Sequence, residues 1–507
     1  MRSQSLIQGK DAPRVAWPAM APGGESEATT PWWRDAVIYQ IYARSFQDSD
    51  GDGIGDLRGI VHRLDHLVDL GVRALWISPI YPSPLADFGY DVSDFRAIDP
   101  VFGGEEDFAA LVREAHARDL KVLMDLVPCH TSIEHPWFRE HPDWYVWADG
   151  GPPNNWMAAF GGSAWSRDER TGRWYLHSFY PEQPDLDWRN PEVVEAMQDV
   201  VRFWLDRGVD GFRIDAIEHL MKDPELRDDP PGGEVPFGLP LREEQARLGL
   251  IHSRDAPDIG RALGALRDVA PEALLVGEVY LPSRRVGRYL EHLDAAFAFE
   301  FFHSPWEASR LREAIEAAVE LEGPAWVLSN HDFPRVVTRF GSRNARVAAM
   351  LLLTLPGPAF VYQGEEIGMR DGPGAARPYD RAGRDVHRHP MQWDGSAGGG
   401  FSTAEPWLPS IDSADRNVAD QRRDPGSILN LYRELIALRP QYGPGFKTID
   451  ADEGVVAYER GAFVVAVNTT SQRRSAPPAG DPILETHIGA GRPGALPPHG
   501  GVVMRPG

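Results

Sequence analysis

The amino-acid sequence predicts an α/β protein, a (β/α)8 TIM barrel with an inserted subdomain after strand 3 and a small C-terminal antiparallel β-domain. Strand-type and helix-type segments alternate along the chain, and the eight strand-type segments are the number that a (β/α)8 barrel needs. Three of the strand-type segments also carry an acid at or near their C-terminal end. These are GFRIDA (residues 211–216) with Asp215, VGEVY (276–280) with Glu278 and SNHDFPR (329–335) with Asp332.

The barrel elements follow one another in order. Apolar, β-prone runs predict strands at residues 36–46, 74–80, 122–127, 211–216, 274–279, 297–302, 325–329 and 359–362. Helical spacing of apolar residues predicts helices at residues 58–69, 105–119, 192–207, 259–269, 307–320, 343–355 and 427–438. The alternation therefore predicts a parallel barrel interrupted once.

The interruption and the two ends of the chain define the predicted domains. Residues 1–30 are polar and rich in Pro, Gly and Ala, which predicts a flexible leader. The barrel is predicted over residues 31–130 and 189–440, and the Trp-, Pro- and Gly-rich residues 131–188 are too long for a plain loop and predict the inserted subdomain. Residues 441–507 form the predicted β-domain, since 455–468 alternate with period two around an Arg-Gly turn.

Composition limits the classes of partner. The chain has 507 residues and a net charge of −23, which disfavours nucleic acid and anionic membranes as partners. A single cysteine, Cys129, excludes an internal disulfide and a cysteine-based zinc cluster. No apolar run is long enough for a bilayer, and the first residues lack the apolar core of a signal peptide. A cytoplasmic enzyme is expected, with its oligomeric state left open.

The three acids are expected to meet at one mouth of the barrel. Buried carboxylates are costly without partners, so acids that close three apolar segments are unusual. Each acid taken alone could be a solvated residue that caps a strand or helix. Because the carboxyl ends of barrel strands share one face, however, Asp215, Glu278 and Asp332 together predict a common site.

A second motif, DSDGDGIGD (residues 48–56), predicts a site for a hard cation. Carboxylates fall at loop positions one, three, five and nine, with a backbone carbonyl at position seven and Gly53 at the tight turn. The closing Glu of an EF-hand is absent, because Gly59 stands at position twelve. An acidic solvated turn is the alternative. We expect structural calcium, with magnesium possible, bound by Asp48, Asp50, Asp52, Ile54 and Asp56.

Five further motifs give the chain a family resemblance. They are DFGYDVSDF (87–95), DLVPCHTS (125–132), QPDLDW (183–188), QGEEIGM (363–369) and GRDVHRHPMQW (383–393). With the three acid segments, and in this order, they resemble the α-amylase superfamily, glycoside hydrolase family 13. The resemblance covers residues from about 32 to 402 and is closest to the α-glucosidase and oligo-1,6-glucosidase branch.

The resemblance implies a role for each acid. Asp215 would be the nucleophile of a retaining glycosidase, Glu278 the acid/base, and Asp332 the third carboxylate, which binds the sugar's 2- and 3-hydroxyls. Glu278 would need a raised pKa. Arg213 lies two residues before Asp215, on the same side of a strand, and its charge is expected to keep Asp215 ionised. Asp125 would orient Arg213.

The resemblance also implies a closed glucose pocket. His130 and His331 would hydrogen-bond the glucose whose bond is cleaved. Asp87 and Tyr90 would close the pocket over that glucose, with Arg384 or Arg388 as the partner of Asp87; the sequence leaves this choice open. A pocket closed in this way implies exo-action on short substrates.

The expected function is therefore a retaining, exo-acting α-glucosidase that acts on an oligosaccharide substrate. Ala216, the residue after the nucleophile, favours α-1,4-linked glucosides such as maltose, because Val at this position goes with α-1,6-linkages in this branch. Cys129 stands where Asn is usual, which argues against a second calcium site. A transglucosylase or sucrose isomerase on the same scaffold is the alternative, and a non-catalytic binding subunit a remote one.

Overall fold

The computed structural model of the protein describes residues 31–232, 247–321, 323–374, 378–477, 480–487 and 494–505. The predicted leader, residues 1–30, lies outside the described residues. Eight parallel strands close into a barrel, as predicted from the sequence. These strands are β1 (Val37–Ile41), β2 (Ala74–Ile77), β3 (Lys121–Leu126), β7 (Gly211–Ile214), β8 (Leu274–Gly277), β9 (Ala295–Phe297), β10 (Pro324–Val327) and β11 (Ala359–Tyr362).

The strands are joined around the barrel in sequence order, and β1 closes it by pairing with both β2 and β11. Large rings fill the interior. Trp76, Phe297 and Phe360 lie with ring centroids 4.9–5.9 Å apart. The barrel is therefore a packed core, and its loops rather than a central channel form the site.

Helices cover the outside of the barrel and pack against the strands through apolar faces. They are α1 (Leu57–Leu70), α2 (Glu105–His116), α3 (Pro136–Glu140), α4 (Pro191–Leu205), α5 (Gly260–Val269), α6 (Ser283–Val286), α7 (Phe299–His303), α8 (Ala308–Val319), α9 (Val336–Phe340), α10 (Ala345–Thr354), α11 (Val418–Arg423) and α12 (Ile428–Leu438). Among the described residues, no helix has the length and hydropathy needed to cross a membrane.

Helix α1 shows why these segments form where they do. The Asp56 carboxylate accepts a hydrogen bond from the Gly59 backbone N–H and so caps the first turn. Ile60, Leu64 and Leu67 recur at helical spacing and are fully buried. Gly71 ends the helix with φ +92°, a conformation that costs glycine nothing.

The predicted strand at residues 297–302 is wrong in its position. Strand β9 ends at Phe297, and the chain turns at Ala298 into helix α7. Phe299, Phe301 and Phe302 are all buried, so the apolar run carries no alternation that distinguishes a strand from a buried helix. The first strand is likewise shorter than residues 36–46, because a 3-10 turn, Ala43–Ser45, follows β1.

Two further sheets lie outside the barrel. Between β3 and α4, the short strands β4 (Trp147–Ala148), β5 (Trp165–Arg167) and β6 (Trp174–Leu176) form an antiparallel sheet in the order β4-β6-β5. After the barrel, a five-stranded sheet has the order β12-β13-β14-β18-β16, and β15 pairs with β17. Their bounds are Phe446–Thr448 (β12), Val455–Arg460 (β13), Phe463–Asn468 (β14), Arg474–Ser475 (β15), Asp481–Glu485 (β16), Ala495–Leu496 (β17) and Gly501–Arg505 (β18).

Candidate active site

The three predicted acids lie together at one mouth of the barrel. Asp215 directly follows β7, Glu278 directly follows β8, and Asp332 follows β10 by five residues. All three line one cavity of about 530 Å³, which Asp87, Tyr90, His130 and Arg384 also line. The cavity wall on the other side comes from the inserted segment, through Phe160, Phe179 and Tyr180.

Arg213 is the centre of the acid cluster. One terminal nitrogen of its guanidinium donates to Asp125 at 2.7 Å and to Asp215 at 2.6 Å, and the other lies 2.5 Å from Glu278 Oε1. Its side chain is 1% exposed, so these bonds form out of water. Glu278 also accepts from the Ala216 backbone N–H at 3.1 Å and from the Tyr280 hydroxyl at 3.2 Å.

The expectation that Arg213 keeps Asp215 ionised is not supported by the balance of charges. Burial raises the pKa of Asp215 well above its usual value, Glu278 and Asp125 act in the same direction, and Arg213 opposes them without prevailing. The pKa of Asp125 is raised to about 6, again mainly by burial. The physical reason is that one guanidinium faces three carboxylates, so the cluster holds a proton readily.

Asp332 has the opposite environment. Its Oδ1 accepts from Arg384 at 3.0 Å and from Arg388 at 3.1 Å. Burial would raise the pKa of Asp332, but His331 and the two arginines outweigh it and hold the pKa far below its usual range. Because burial lowers the pKa of His331 to about 3, its ring is neutral at neutral pH, and the arginines supply the charge.

The structure resolves the choice that the sequence left open. Arg384 donates to Asp87 at 2.5 Å, to Asp332 at 3.0 Å and also to Asp380. Arg388 instead binds Asp332 and the His331 carbonyl oxygen. Arg384 is therefore the partner of Asp87, and this contact closes one end of the cavity.

Of the two predicted histidines, His130 lines the cavity, whereas His331 is fully buried behind the lining residues. His331 contacts the Gln40 amide through Nδ1 and the Tyr90 hydroxyl through Nε2, both at 2.7 Å. Its ring also stacks on Tyr90, with centroids 5.5 Å apart. His130 Nε2 lies 2.9 Å from the Gln183 amide nitrogen, while its Nδ1 has no partner among the described residues.

Several residues in or next to the cavity were missed from the sequence. Gln183 is fully buried and donates to Asp87 at 2.9 Å, and its only sequence signal was the QPDLDW motif. Glu218, His219 and Arg254 line the cavity beside Glu278. Glu218 and His219 lie in a 3-10 turn, Ile217–His219, just after Asp215, whereas Arg254 belongs to no motif.

The predicted cation loop brings part of its ligand set together. Carboxylate oxygens of Asp48, Asp50 and Asp56 lie within 4.8 Å of one another, and Asp52 is not in this group. Asp52 instead accepts from the Ile54 backbone N–H at 2.7 Å. The pKa of Asp50 is raised by burial and by Asp52, Asp56 and Asp48. A cluster of hard oxygen donors that repel one another fits a calcium or magnesium ion.

A second group of possible metal ligands lies next to a lysine side chain. Cys129, His130 and Asp185 each offer an atom within 4.8 Å of the others. The Lys222 ammonium lies 2.7 Å from Asp185 and 3.8 Å from the Cys129 sulfur. A metal ion there would meet this fixed positive charge.

Comparison with known proteins gives the family. The model of the α-amylase catalytic domain matches residues 40–445. The chain therefore belongs to the α-amylase family. The matched range includes every strand of the barrel except the first residues of β1. It also includes the cavity and all three acids.

Relatives place this α-amylase family member in the α-glucosidase group of glycoside hydrolase family 13, as a glycoside hydrolase. It is 42% identical over 458 residues to a probable α-glucosidase of Rhizobium meliloti, with 82% of this chain and 83% of the relative covered. It is 37% identical over 501 residues to the oligo-1,6-glucosidase of Parageobacillus thermoglucosidasius, with 85% of this chain and 88% of the relative covered.

Solved structures show the same architecture with other activities. An α-glucosyl transfer enzyme matches with a TM-score of 0.87 and 38% identity, covering 94% of this chain and 100% of that chain. The trehalulose synthase of Pseudomonas mesoacidophila MX-45 matches with a TM-score of 0.83 and 31% identity, with the same coverage. Family 13 scaffolds of this kind thus carry both hydrolysis and glucosyl transfer.

Proposed function

We propose that the protein is a retaining, exo-acting α-glucosidase that hydrolyses α-1,4-linked glucosides such as maltose and short maltooligosaccharides. The observation that carries the proposal is the contact of one guanidinium, Arg213, with both Asp215 and Glu278 inside the cavity. A shared guanidinium favours the carboxyl separation of retaining enzymes, about 5–5.5 Å, over the wider pair that inversion needs.

In this mechanism, Asp215 attacks the anomeric carbon while Glu278 gives its proton to the departing glycosidic oxygen. The C–O bond to the leaving sugar breaks as the ester bond to Asp215 forms. Glu278, now ionised, takes a proton from water, and the resulting hydroxide attacks the same carbon and releases glucose and Asp215. Two displacements restore the original anomeric configuration.

The mechanism requires the proton of the cluster to lie on Glu278 and not on Asp215, although burial raises the pKa of Asp215. The charge around Asp332 supports the role of the third carboxylate. Asp332 is held ionised by Arg384 and Arg388 beside the sugar position. A fixed negative charge there stabilises the positive charge that develops on the sugar in the transition state.

The closed end of the cavity supports exo-action. Asp87 contacts both Arg384 and Gln183, and we infer that these contacts block a longer chain beyond the first glucose. Tyr90 and His130 line the cavity at this end, where they would contact the ring and hydroxyls of that glucose. Cleavage would therefore release one glucose at a time from the non-reducing end.

Ala216 supports the α-1,4 preference. Its backbone N–H donates to Glu278, and its φ is +46°, so the residue sits against the acid/base in a left-handed conformation. A β-branched residue is strained in this conformation and would also crowd the acceptor side.

Glucosyl transfer is the alternative, favoured by the names of the structural relatives. A transglucosylase or sucrose isomerase uses the same acids and differs in which acceptor reaches the ester. The presence of all three acids disfavours a non-catalytic binding subunit. We place the enzyme in the cytoplasm, and we propose that the Asp48–Asp56 loop binds a structural calcium or magnesium ion.

The test is a panel of α-linked disaccharides and sucrose, with products separated by chromatography and the anomer of released glucose followed by NMR. Hydrolysis of maltose to α-glucose, faster than isomaltose, is expected. If sucrose gives mainly isomaltulose or trehalulose, or if maltose gives mainly longer products, the enzyme catalyses glucosyl transfer and the proposal of hydrolysis is rejected. Release of β-glucose would exclude retention.

A further inference from the structure

Arg254 is a buried arginine on the cavity wall without a bound partner. It is 5% exposed, and its Nε has no hydrogen-bond partner. Two acids, Glu218 and Asp229, act on the guanidinium through their charge, and no hydrogen bond from it to either is found among the described residues. A buried, unpaired guanidinium is costly, so a ligand that accepts its hydrogen bonds would stabilise the folded protein.

Glu218 is the complementary group on the same wall. It is 1% exposed, and its Oε1 accepts a long bond of 3.4 Å from the Tyr280 backbone N–H and lies 4.0 Å from His219 Nε2. Its Oε2 has no partner among the described residues. Burial raises the pKa of Glu218 to about 7, and the charge of Arg254 is the main influence against that rise. The two side chains therefore interact through their charges without forming a hydrogen bond to each other.

The other charged groups on this wall differ from this pair. Arg384 is saturated by Asp87, Asp332 and Asp380, and Arg381 is held by both oxygens of Glu182. Asp215 and Glu278 are bound by Arg213. Among the described lining residues, Glu218 thus has an acceptor atom without a partner, and Arg254 has a donor atom without a partner.

The position of Glu218 and Arg254 indicates which part of a substrate they would contact. Glu218 lies against the acid/base segment, since Ile217 N–H donates to the Glu278 carbonyl and Tyr280 N–H to Glu218. The closed end of the cavity is formed elsewhere, by Asp87 and Arg384. In a retaining glycosidase the acid/base faces the departing group, so the pair lies on the side of the leaving or accepting molecule.

We propose that Arg254 and Glu218 select a neutral, polyhydroxylated leaving or accepting unit, a sugar or a polyol, by binding its hydroxyls. A hydroxyl oxygen accepts from the guanidinium, and a hydroxyl hydrogen is donated to the carboxylate, so adjacent hydroxyls satisfy both groups. This inference rests on the proposed α-glucosidase function. An anionic unit fits less well, because it would meet the Glu218 carboxyl, which carries a partial negative charge at a pH near its pKa of about 7.

The experiment compares maltose, whose leaving unit carries hydroxyls, with p-nitrophenyl α-glucoside, whose leaving unit has none. Arg254→Gln is expected to lower the kcat/KM ratio of maltose to the aryl glucoside by about 10- to 100-fold, the loss expected for hydrogen bonds to a charged group. Arg254→Lys keeps the charge and should restore part of the ratio. Glu218→Gln should shift the ratio in the same direction as Arg254→Gln, which keeps the test open if one variant does not fold.

Arg381→Gln is the matched control, because Arg381 lines the same cavity but is paired with Glu182; its ratio should equal that of the wild type. Equal losses on both substrates in Arg254→Gln, or no change in the ratio, would overturn the inference. A third outcome would also overturn the inference. If the wild type prefers a 4-carboxyphenyl to a 4-carbamoylphenyl α-glucoside, and Arg254→Gln removes this preference, the guanidinium binds an anion. Failure of the wild type to cleave any of these glucosides would instead reject the proposed function.

Discussion

Two groups of buried carboxylates follow strands of the same barrel, and their partners differ. Asp215 and Glu278 follow β7 and β8, face the cavity and share Arg213 with Asp125. Glu365 and Glu366 follow β11 and lie outside the cavity lining. Glu365 accepts from the hydroxyls of Ser329 at 2.5 Å and Tyr432 at 2.9 Å. Glu366 accepts from Tyr39 at 2.9 Å and contacts His66 at 3.2 Å.

The comparison shows that an acid just past a strand is not enough to mark a reactive site. In the Arg213 cluster, a fixed cation and an open cavity leave the carboxylates able to react with a ligand. At Glu365, by contrast, the hydroxyls of Ser329 and Tyr432 hold a carboxyl that does not line the cavity. Burial raises the pKa of Glu365 to about 7, so this side chain is held largely as a neutral acid below that pH.

The largest expected effect is on turnover. Asp215→Asn should reduce kcat by at least about 10⁴-fold, because the amide cannot form the ester intermediate. Glu365→Gln is the matched variant and should keep kcat of the same order. Steady-state kinetics on maltose with circular dichroism of both variants checks this. Full activity in a folded Asp215→Asn protein would remove Asp215 from the nucleophile role.

The next effect is on stability. Arg213→Met leaves Asp125, Asp215 and Glu278 buried without their cation and should lower the free energy of unfolding by about 3–5 kcal/mol. Tyr432→Phe, which removes one neutral donor from Glu365, should cost only about 1 kcal/mol. Urea unfolding measures both. Similar losses in the two variants would mean that the clusters do not differ in charge.

The third prediction concerns pH. The pKa of Glu365 rises from 4.5 to about 7 on folding, so its contribution to stability is full below about pH 4.5 and is lost as pH rises to 7. Within this window the slope attributable to the group is at most about 1.4 kcal/mol per pH unit. Glu365→Gln should remove this component from a plot of unfolding free energy against pH. An unchanged plot would show that the carboxyl is ionised in the folded state.

The smallest effect concerns a third acid group, the Asp48–Asp56 loop, where the compensating cation would come from solution. Chelation should lower the Tm by a few degrees, since an ion at 100 times its Kd adds about 2.7 kcal/mol. Calcium should restore the Tm, and Asp50→Asn should abolish the response. Scanning calorimetry, together with elemental analysis of the purified protein, checks this. The absence of both a shift and a bound ion would reject the site.

The barrel and the convergence of the three acids could be predicted because both depend on local patterns. Eight alternating segments determine the fold class, and strand direction brings Asp215, Glu278 and Asp332 to one face. The error at residues 297–302 arose because a run of buried phenylalanines fits a strand and a helix equally well.

Contacts between distant segments could not be predicted. Arg384 and Arg388 lie four residues apart in one motif, and only the three-dimensional structure shows which of them reaches Asp87. Arg254 gave no sequence signal at all, because its surroundings are built from segments that are separate in the chain. The ionisation of Asp215 was misjudged for a similar reason, since Arg213 is shared with acids from two other strands.

The contact between Asp87 and Arg384 joins residues 297 positions apart. During synthesis, the ribosome must therefore release most of the polypeptide before this contact can form. A nascent or truncated chain that lacks the later segment can form early strands but not this enclosure. Sugar binding then stabilises only the finished molecule, so recovery of activity after dilution from urea would report the last stage of assembly.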